Sequence, residues 1–281
     1  MVFSNKKMKP CGETAFSAGL NCIMMEKGIV MTKIIMNGCN GRMGRIITEL
    51  VSKEENAEIV AGIDVYTAVE NKYPVFTSID ECDVKADVIV DFSLPTGTDK
   101  VLDYAVKTGT PVVLCTTGLS DDQIGRVKEA SEKVAILRSA NMSVGVNLLL
   151  KVLHDVAPQL AAAGFDIEIV EKHHNQKKDA PSGTAIALAD AINDSLNNEY
   201  EYAYDRSSRS ESRPAKEIGI SAVRGGTIPG DHDVIFAGQD EVITFSHRAY
   251  SRAIFGKGAI TAAKFLAGKN PGLYSMADAL A

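Results

Sequence analysis

Two successive architectures are predicted for this chain: an N-terminal doubly wound parallel sheet covered by helices, then an α+β part built on a mixed sheet. Three observations carry that reading. From residue 32 to about 143, near-continuous apolar runs alternate with helical segments, the pattern of strands buried on both faces. A strand, a glycine-rich turn and an apolar helix follow one another over 32–51, the order that a dinucleotide pyrophosphate site requires. Beyond residue 144 the period changes to one long amphipathic helix and then short runs that alternate apolar and polar residues between turn signals, as half-buried strands do.

Composition narrows the class. The chain has 281 residues, 45% hydrophobic and 23% charged, with a formal net charge of -6. A negative field disfavours nucleic acid or an anionic membrane as partner. The five cysteines (Cys11, Cys22, Cys39, Cys82, Cys115) include no C-x-x-C pair, which suggests neither a disulfide framework nor a thiolate metal site and fits a reducing cytoplasm. No metal is expected, because no His/Cys/Asp cluster occurs. No apolar run is long enough for a transmembrane helix. Residues 1–30 lack the periodicity of strand or helix and hold four methionines before Met31. They are read as a non-domain extension, with a short regulatory arm as the alternative, and truncation at Met31 is expected to preserve activity and stability.

The first strand is read at Thr32–Asn37. It runs into Gly38-Cys39-Asn40-Gly41-Arg42-Met43-Gly44-Arg45 and a helix carrying Ile46, Ile47, Leu50 and Val51. Gly38 permits the turn, Gly41 lets the backbone approach phosphate, and Gly44 allows helix to pack on strand; the spacing is G-x-x-G-x-x-G rather than the commoner G-x-G-x-x-G. A second strand, Glu58–Ile63, ends at Asp64, about twenty residues past Gly44, where an acid would bond the adenosine ribose hydroxyls. Val65 stands where a cation would be wanted for a 2′-phosphate. NADH is therefore expected in preference to NADPH. Further strands over 86–92, 111–115 and 134–137, with helices between, complete a Rossmann-type sheet. The loops that leave them should line the nicotinamide half of the pocket, at the carboxyl ends of the strands.

The second part opens with a helix from Val144 to Ala163, on which His154 is read as a surface or packing residue. The stretch Asp166 to Thr184 follows: an alternating strand, then His173, His174, Lys177 and Lys178, then the turn Asp179-Ala180-Pro181-Ser182-Gly183-Thr184, then a helix N-capped by Ser182. A proton donor and cations beside free helix N–H groups suit a carboxylate next to a group that must be protonated. Residues 197–216 are charged and serine-rich and read as a mobile loop. Segments 218–224, 233–237 and 241–247 read as antiparallel strands; His232 and His247 remain ambiguous and rank below the His173 pair. A sheet alternating in this way needs a covered face, and oligomerisation would supply the cover. The tail from Gly258 to Leu266 reads as an apolar helix.

At Glu171-Lys172-His173-His174-Asn175-Gln176-Lys177-Lys178-Asp179-Ala180-Pro181-Ser182-Gly183-Thr184 the sequence resembles the dihydrodipicolinate reductases, now called 4-hydroxy-tetrahydrodipicolinate reductases, of lysine and diaminopimelate biosynthesis. Further matches are Gly38–Arg45, Asp91-Phe92-Ser93, Thr116-Thr117-Gly118 and Ala140–Asn147. The resemblance runs from about Thr32 to the C-terminus. It implies a cytoplasmic homotetramer that takes a small dicarboxylate and uses NADH or NADPH. It makes His173 the proton donor and Lys177 the essential cation, with His174, Ser182, Gly183 and Thr184 around the substrate carboxylates. For the cofactor it implies Gly38, Cys39, Asn40, Gly41, Arg42, Met43, Asp64, Cys115, Thr116, Thr117, Ser139, Ala140, Asn141 and Met142. Cys115 departs from the usual glycine, Met142 from the usual aromatic, and Val65 from the basic residue of members that accept both cofactors.

The expected organisation is an extension over 1–30, a dinucleotide-binding domain over 31–143, a substrate-binding and tetramerisation domain over 144–256, and a segment over 257–281 packing back on the first domain. Two other readings are weighed against the reductase. A different two-domain dehydrogenase, for an amino acid, aldehyde or sugar, would have no use for the His-His-x-x-Lys and Pro-Ser-Gly-Thr combination. A non-catalytic NAD(H) sensor would have no reason to set paired His and Lys beside an anion-binding turn.

Overall fold

The structure, a computed structural model, describes residues 31–139, 141–207 and 209–281. The expectations for residues 1–30 and for Ala140 lie outside the described residues. In the first sheet the chain forms β1 (Thr32–Asn37), α1 (Arg42–Val51), β2 (Ala57–Ile63), β3 (Val75–Phe76), β4 (Val88–Asp91), α2 (Thr98–Thr108), β5 (Val112–Leu114), α3 (Asp121–Ser131) and β6 (Ala135–Arg138). It continues with α4 (Val144–Ala162), β7 (Asp166–His173), α5 (Gly183–Ser195), β8 (Glu201–Ala203), β9 (Glu217–Arg224), β10 (Asp231–Ala237), β11 (Val242–Arg248), α6 (Ala253–Leu266), β12 (Gly272–Tyr274) and α7 (Met276–Ala279).

The first sheet has seven strands in the order β12-β6-β5-β4-β1-β2-β3, and every pairing is parallel. The middles of its central strands are apolar on both sides because helices cover both faces. One apolar core packs Ile34, Met36, Val90 and Leu137 against Ile47 of α1 and against Ala259, Ala263 and Leu266 of α6. The other packs Ile35, Ile89 and Leu114 against Leu102 of α2 and Val127 of α3. The C-terminal elements thus belong to the first sheet: β12 pairs with β6, and a Cβ on Gly258 of α6 would meet the Met142 carbonyl oxygen at 1.6 Å.

The second sheet has the order β11-β10-β7-β9-β8. Alternation along β7 turns Ile167, Ile169, Glu171 and His173 inward, beneath α4 and α5, whose Leu153, Leu188 and Ile192 complete a third core with Val234 and Phe236 of β10. The other face is half open: Val242, Thr244, Ser246 and Arg248 of β11 are exposed on it.

Several expectations are corrected. Strand β9 pairs with β7 in parallel, not antiparallel, because the intervening chain includes α5 and so is long enough to cross over; alternation alone carries no direction. Residues 197–216 contain a strand, β8, and their three arginines are held by carboxylates of the fold, where a mobile loop was expected. Glu217, buried, binds Arg206 at 2.5 Å and Arg209 at 2.9 Å, while Arg213 reaches Asp166 and Glu168 at 2.7 and 2.9 Å. The short strands β3 and β12 lacked any run long enough to announce them.

Candidate active site

The cofactor half is built where β1 meets α1. Gly38 has φ +78, and a Cβ there would stand 2.9 Å from the Phe92 carbonyl oxygen. At Gly44 a Cβ would lie 2.2 Å from the Gly38 oxygen, so the turn closes onto the helix only with glycine at both places. Gly41 caps α1 with no side chain, which leaves the first N–H groups, of Arg42 and Met43, to an anion. Asp64 braces the turn: its carboxylate accepts from the Asn40 and Tyr66 N–H groups, both at 2.9 Å. Gly38, Gly41, Asp64, Val65, Phe92 and Lys100 are among the residues around a cavity of about 450 Å³. A glycine cradle, an uncapped helix start and an acid across the cavity fit a dinucleotide.

At the strand ends, buried Asp91 accepts from Asn37 Nδ2 and Thr116 Oγ1, each at 2.7 Å, and from the Ser93 N–H at 3.1 Å. One carboxylate therefore ties the exits of β1, β4 and β5. Thr117 is exposed. Cys39, Cys115 and Met142 are buried in the core beneath the first sheet's strand ends; burial raises the Cys39 thiol to about 11 and the Cys115 thiol well above its usual value. Ser139 Oγ donates to the Asn141 carbonyl at 2.8 Å, and Asn141 Nδ2 reaches Thr184 Oγ1 at 2.9 Å, which joins the cofactor half to α5.

In the substrate half, His173 Nδ1 lies 2.6 Å from Glu171 Oε2. Glu171 is fully buried, and Arg224 grips it with two guanidinium nitrogens at 2.7 and 2.8 Å. The Ser182 N–H donates to the same carboxylate at 2.9 Å. Ser182 caps α5 as expected: its Oγ accepts from the Ala185 N–H at 3.1 Å and stands 2.9 Å from His232 Nε2. With Ser182 so engaged and 2% exposed, the groups at this helix start that a carboxylate can reach are those of Gly183 and Thr184. Lys177 stands 2.8 Å from Asp179. The His174 N–H is spent on the Ile228 carbonyl at 2.8 Å, and its buried Nδ1 has no protein partner.

Burial would raise the Glu171 carboxyl, but Arg224, His173 and the Ser182 N–H more than reverse this and hold it below the usual range. For His173, burial lowers proton affinity and the nearby cations Lys177 and Arg224 lower it further, while Glu171 pulls it back; the balance lies below the ordinary value. His232 is pushed down to about 4, by burial first and by His173 second.

A profile described as "Dihydrodipicolinate reductase, N-terminus" matches residues 32–142, and one described as "Dihydrodipicolinate reductase, C-terminus" matches residues 145–280. The chain belongs to the dihydrodipicolinate reductase family. Its relatives within that family include the 4-hydroxy-tetrahydrodipicolinate reductase of Caldanaerobacter subterraneus subsp. tengcongensis, 51% identical over 249 residues, which are 89% of this chain and 98% of that one. The Clostridium novyi enzyme of the same name is 48% identical over 89% of this chain and 98% of its own. Among solved structures, the family's dipicolinate-bound dihydrodipicolinate reductase from Paenisporosarcina sp. TG-14 aligns with TM-score 0.73 and 25% identity, over 90% of this chain and all of that one.

Within this family fold the site includes residues that sequence reading left without a role. Arg224 and His232 come from β9 and β10; His232 pairs in register with Glu171, and its ring meets His173 edge-on at 5.2 Å. Inward alternation of His232, Val234 and Phe236 was the available signal. Lys100 has no motif around it. Among the described residues, no group of three or more His, Cys, Asp or Glu is placed to hold a metal ion, and no helix is long and apolar enough to cross a membrane.

Proposed function

We propose that the chain reduces 4-hydroxy-tetrahydrodipicolinate to tetrahydrodipicolinate in the cytoplasm, on the diaminopimelate route to lysine, with NADH preferred over NADPH. The observation that carries this reading is His173, held by a buried carboxylate, beside Lys177 and the open first turn of α5. When bound, the reduced nicotinamide supplies the hydride. Gly38, Gly41 and the first N–H groups of α1 would hold the pyrophosphate, and Asp64 the adenosine ribose; residues 115–117, Ser139, Asn141 and Met142 would border the nicotinamide. The 4-hydroxyl leaves as water to give the conjugated ring that takes the hydride, and His173 delivers a proton to the ring carbon next to the one reduced. Lys177, with the Gly183 and Thr184 N–H groups and His174, grips the two carboxylates. Asp64 favours NADH because its charge opposes a 2′-phosphate, with exposed Val65 offering none in return; Lys100 is the one cation lining that cavity among the described residues.

The same reading divides the chain into a dinucleotide-binding domain over 31–143, a substrate and tetramerisation domain over 144–256 and a returning segment over 257–281. The open face of the second sheet would pack against partner subunits in a homotetramer.

The test is NADH oxidation that depends on freshly generated substrate. His173→Ala should lower kcat by about 10²- to 10⁴-fold with little change in dinucleotide affinity. Lys177→Ala should raise KM about ten- to a hundredfold, since losing a charge-assisted hydrogen bond costs about 1.5–3 kcal/mol. Folded variants with unchanged kcat and KM would refute the assignment.

A further inference from the structure

We infer that Glu171, clamped by Arg224, is the positioning residue for proton transfer: it holds His173 with Nδ1–H toward Oε2, so that Nε2 carries the transferable proton, and through the Ser182 N–H it sets the start of α5 against that proton. This rests on the reading of His173 as proton donor.

Four hydrogen bonds converge on the one carboxylate. Oε1 accepts from Arg224 Nη2 and the Ser182 N–H, and Oε2 accepts from Arg224 Nη1 and His173 Nδ1. Arg224 Nη2 also donates to the Asp179 carbonyl at 2.6 Å, so the loop carrying Lys177 is fastened to the same pair. Isolated, a fully buried carboxylate would be strongly unfavourable; the bidentate arginine neutralises it, and Glu171 remains an anion able only to accept. An acceptor at Nδ1 fixes the tautomer. The other nitrogen is left clear: Nε2 faces Gly230, where a Cβ would approach within 2.9 Å.

The groups around His173 are Glu171 on its own strand, Arg224 on β9, His232 on β10, and Lys177 in the following loop. Only Glu171 favours the protonated ring. An amide at 171 cannot replace it. Its NH₂ meets an Arg224 nitrogen in either orientation, donor against donor; at the Oε1 position it also opposes the Ser182 N–H, and at the Oε2 position it faces His173 Nδ1, which it would drive to the opposite tautomer.

In the full-length protein, Glu171→Gln should therefore lower kcat about 10²- to 10³-fold, with any rise in KM smaller than the fall in kcat. The alkaline limb of its kcat profile should move to lower pH, because the group that retained the proton is gone. Glu171→Asp, which keeps the carboxylate, should return the limb toward its original position and recover part of the rate. A structural role alone would lower activity without moving the limb. A folded Glu171→Gln protein with wild-type kcat and an unmoved limb would overturn the proposal. Should that variant not fold, nitrogen NMR of the unaltered protein decides: neutral His173 must be the Nδ1–H tautomer, and the Nε2–H tautomer refutes the inference. Wild-type kcat in His173→Gln would instead remove the proton-donor reading itself.

Discussion

His232 gives the stability of this protein a pH dependence that can be worked out in advance. The ring is 4% exposed and, with burial as the first cause, binds a proton only near pH 4. In the unfolded chain a histidine binds one at about 6.5. Between those values the unfolded state holds the proton and the folded state does not, so stability falls as pH falls. With these two constants, going from about pH 7 to about pH 5 costs about 2 kcal/mol at this one residue. His232→Asn keeps a polar group against Ser182 and removes the titration. Denaturant unfolding of both proteins at the two pH values, at one protein concentration, should show the wild type losing about 2 kcal/mol more than the variant. Equal losses, to within about 0.5 kcal/mol, would mean that His232 is not held neutral and that its contact with Ser182 has another charge state.

Other outcomes follow from the same geometry. The ratio of kcat/KM should favour NADH, and Asp64→Ala with Val65→Arg should shift it toward NADPH; a tenfold native preference for NADPH, about 1.4 kcal/mol, would refute the role of Asp64. Gly44→Ala would drive a Cβ to 2.2 Å from the Gly38 oxygen, so calorimetric titration should show dinucleotide binding weakened at least about tenfold if the turn opens, an effect of about 1.4 kcal/mol. The open face of the second sheet should be covered in a closed oligomer. Light scattering should report a tetramer, and a monomer at micromolar concentration would contradict it.

What could be seen in the sequence was whatever is local. Gly38, Gly41 and Gly44 serve a turn that closes within eight residues, from Gly38 to Arg45, and Ser182 caps a helix that begins at the next residue. The parallel first sheet was legible for a similar reason, since strands buried on both faces are apolar throughout. The unread parts are relations between strands. Arg224 reaches Glu171 because β9 pairs with β7 in parallel, and His232 reaches Ser182 because β10 lies on β7's other side. Neither neighbour nor direction is encoded in alternation, so both residues looked unaccompanied. The three arginines around Glu217 and Glu168 misled for the opposite reason: a charged run resembles a solvated loop until buried Glu217 and half-buried Glu168 are found to receive it.

The pairing of Lys177 with Asp179 bears on which guests this site can tell apart. On the proposed reading an incoming carboxylate would not meet a bare cation; it would have to draw Lys177 away from Asp179, which is 60% exposed and returns readily to water. Pairs of that kind contribute about 0–1 kcal/mol, so the exchange is nearly level and one carboxylate gains little by making it. A net gain needs a second negative group to reach the Gly183 and Thr184 N–H groups of α5, since the internal anion at this helix start, Glu171, takes the Ser182 N–H instead. Preference for a doubly charged ligand over a singly charged one of the same shape is then a subtraction, set as much by what Asp179 withholds as by what Lys177 offers.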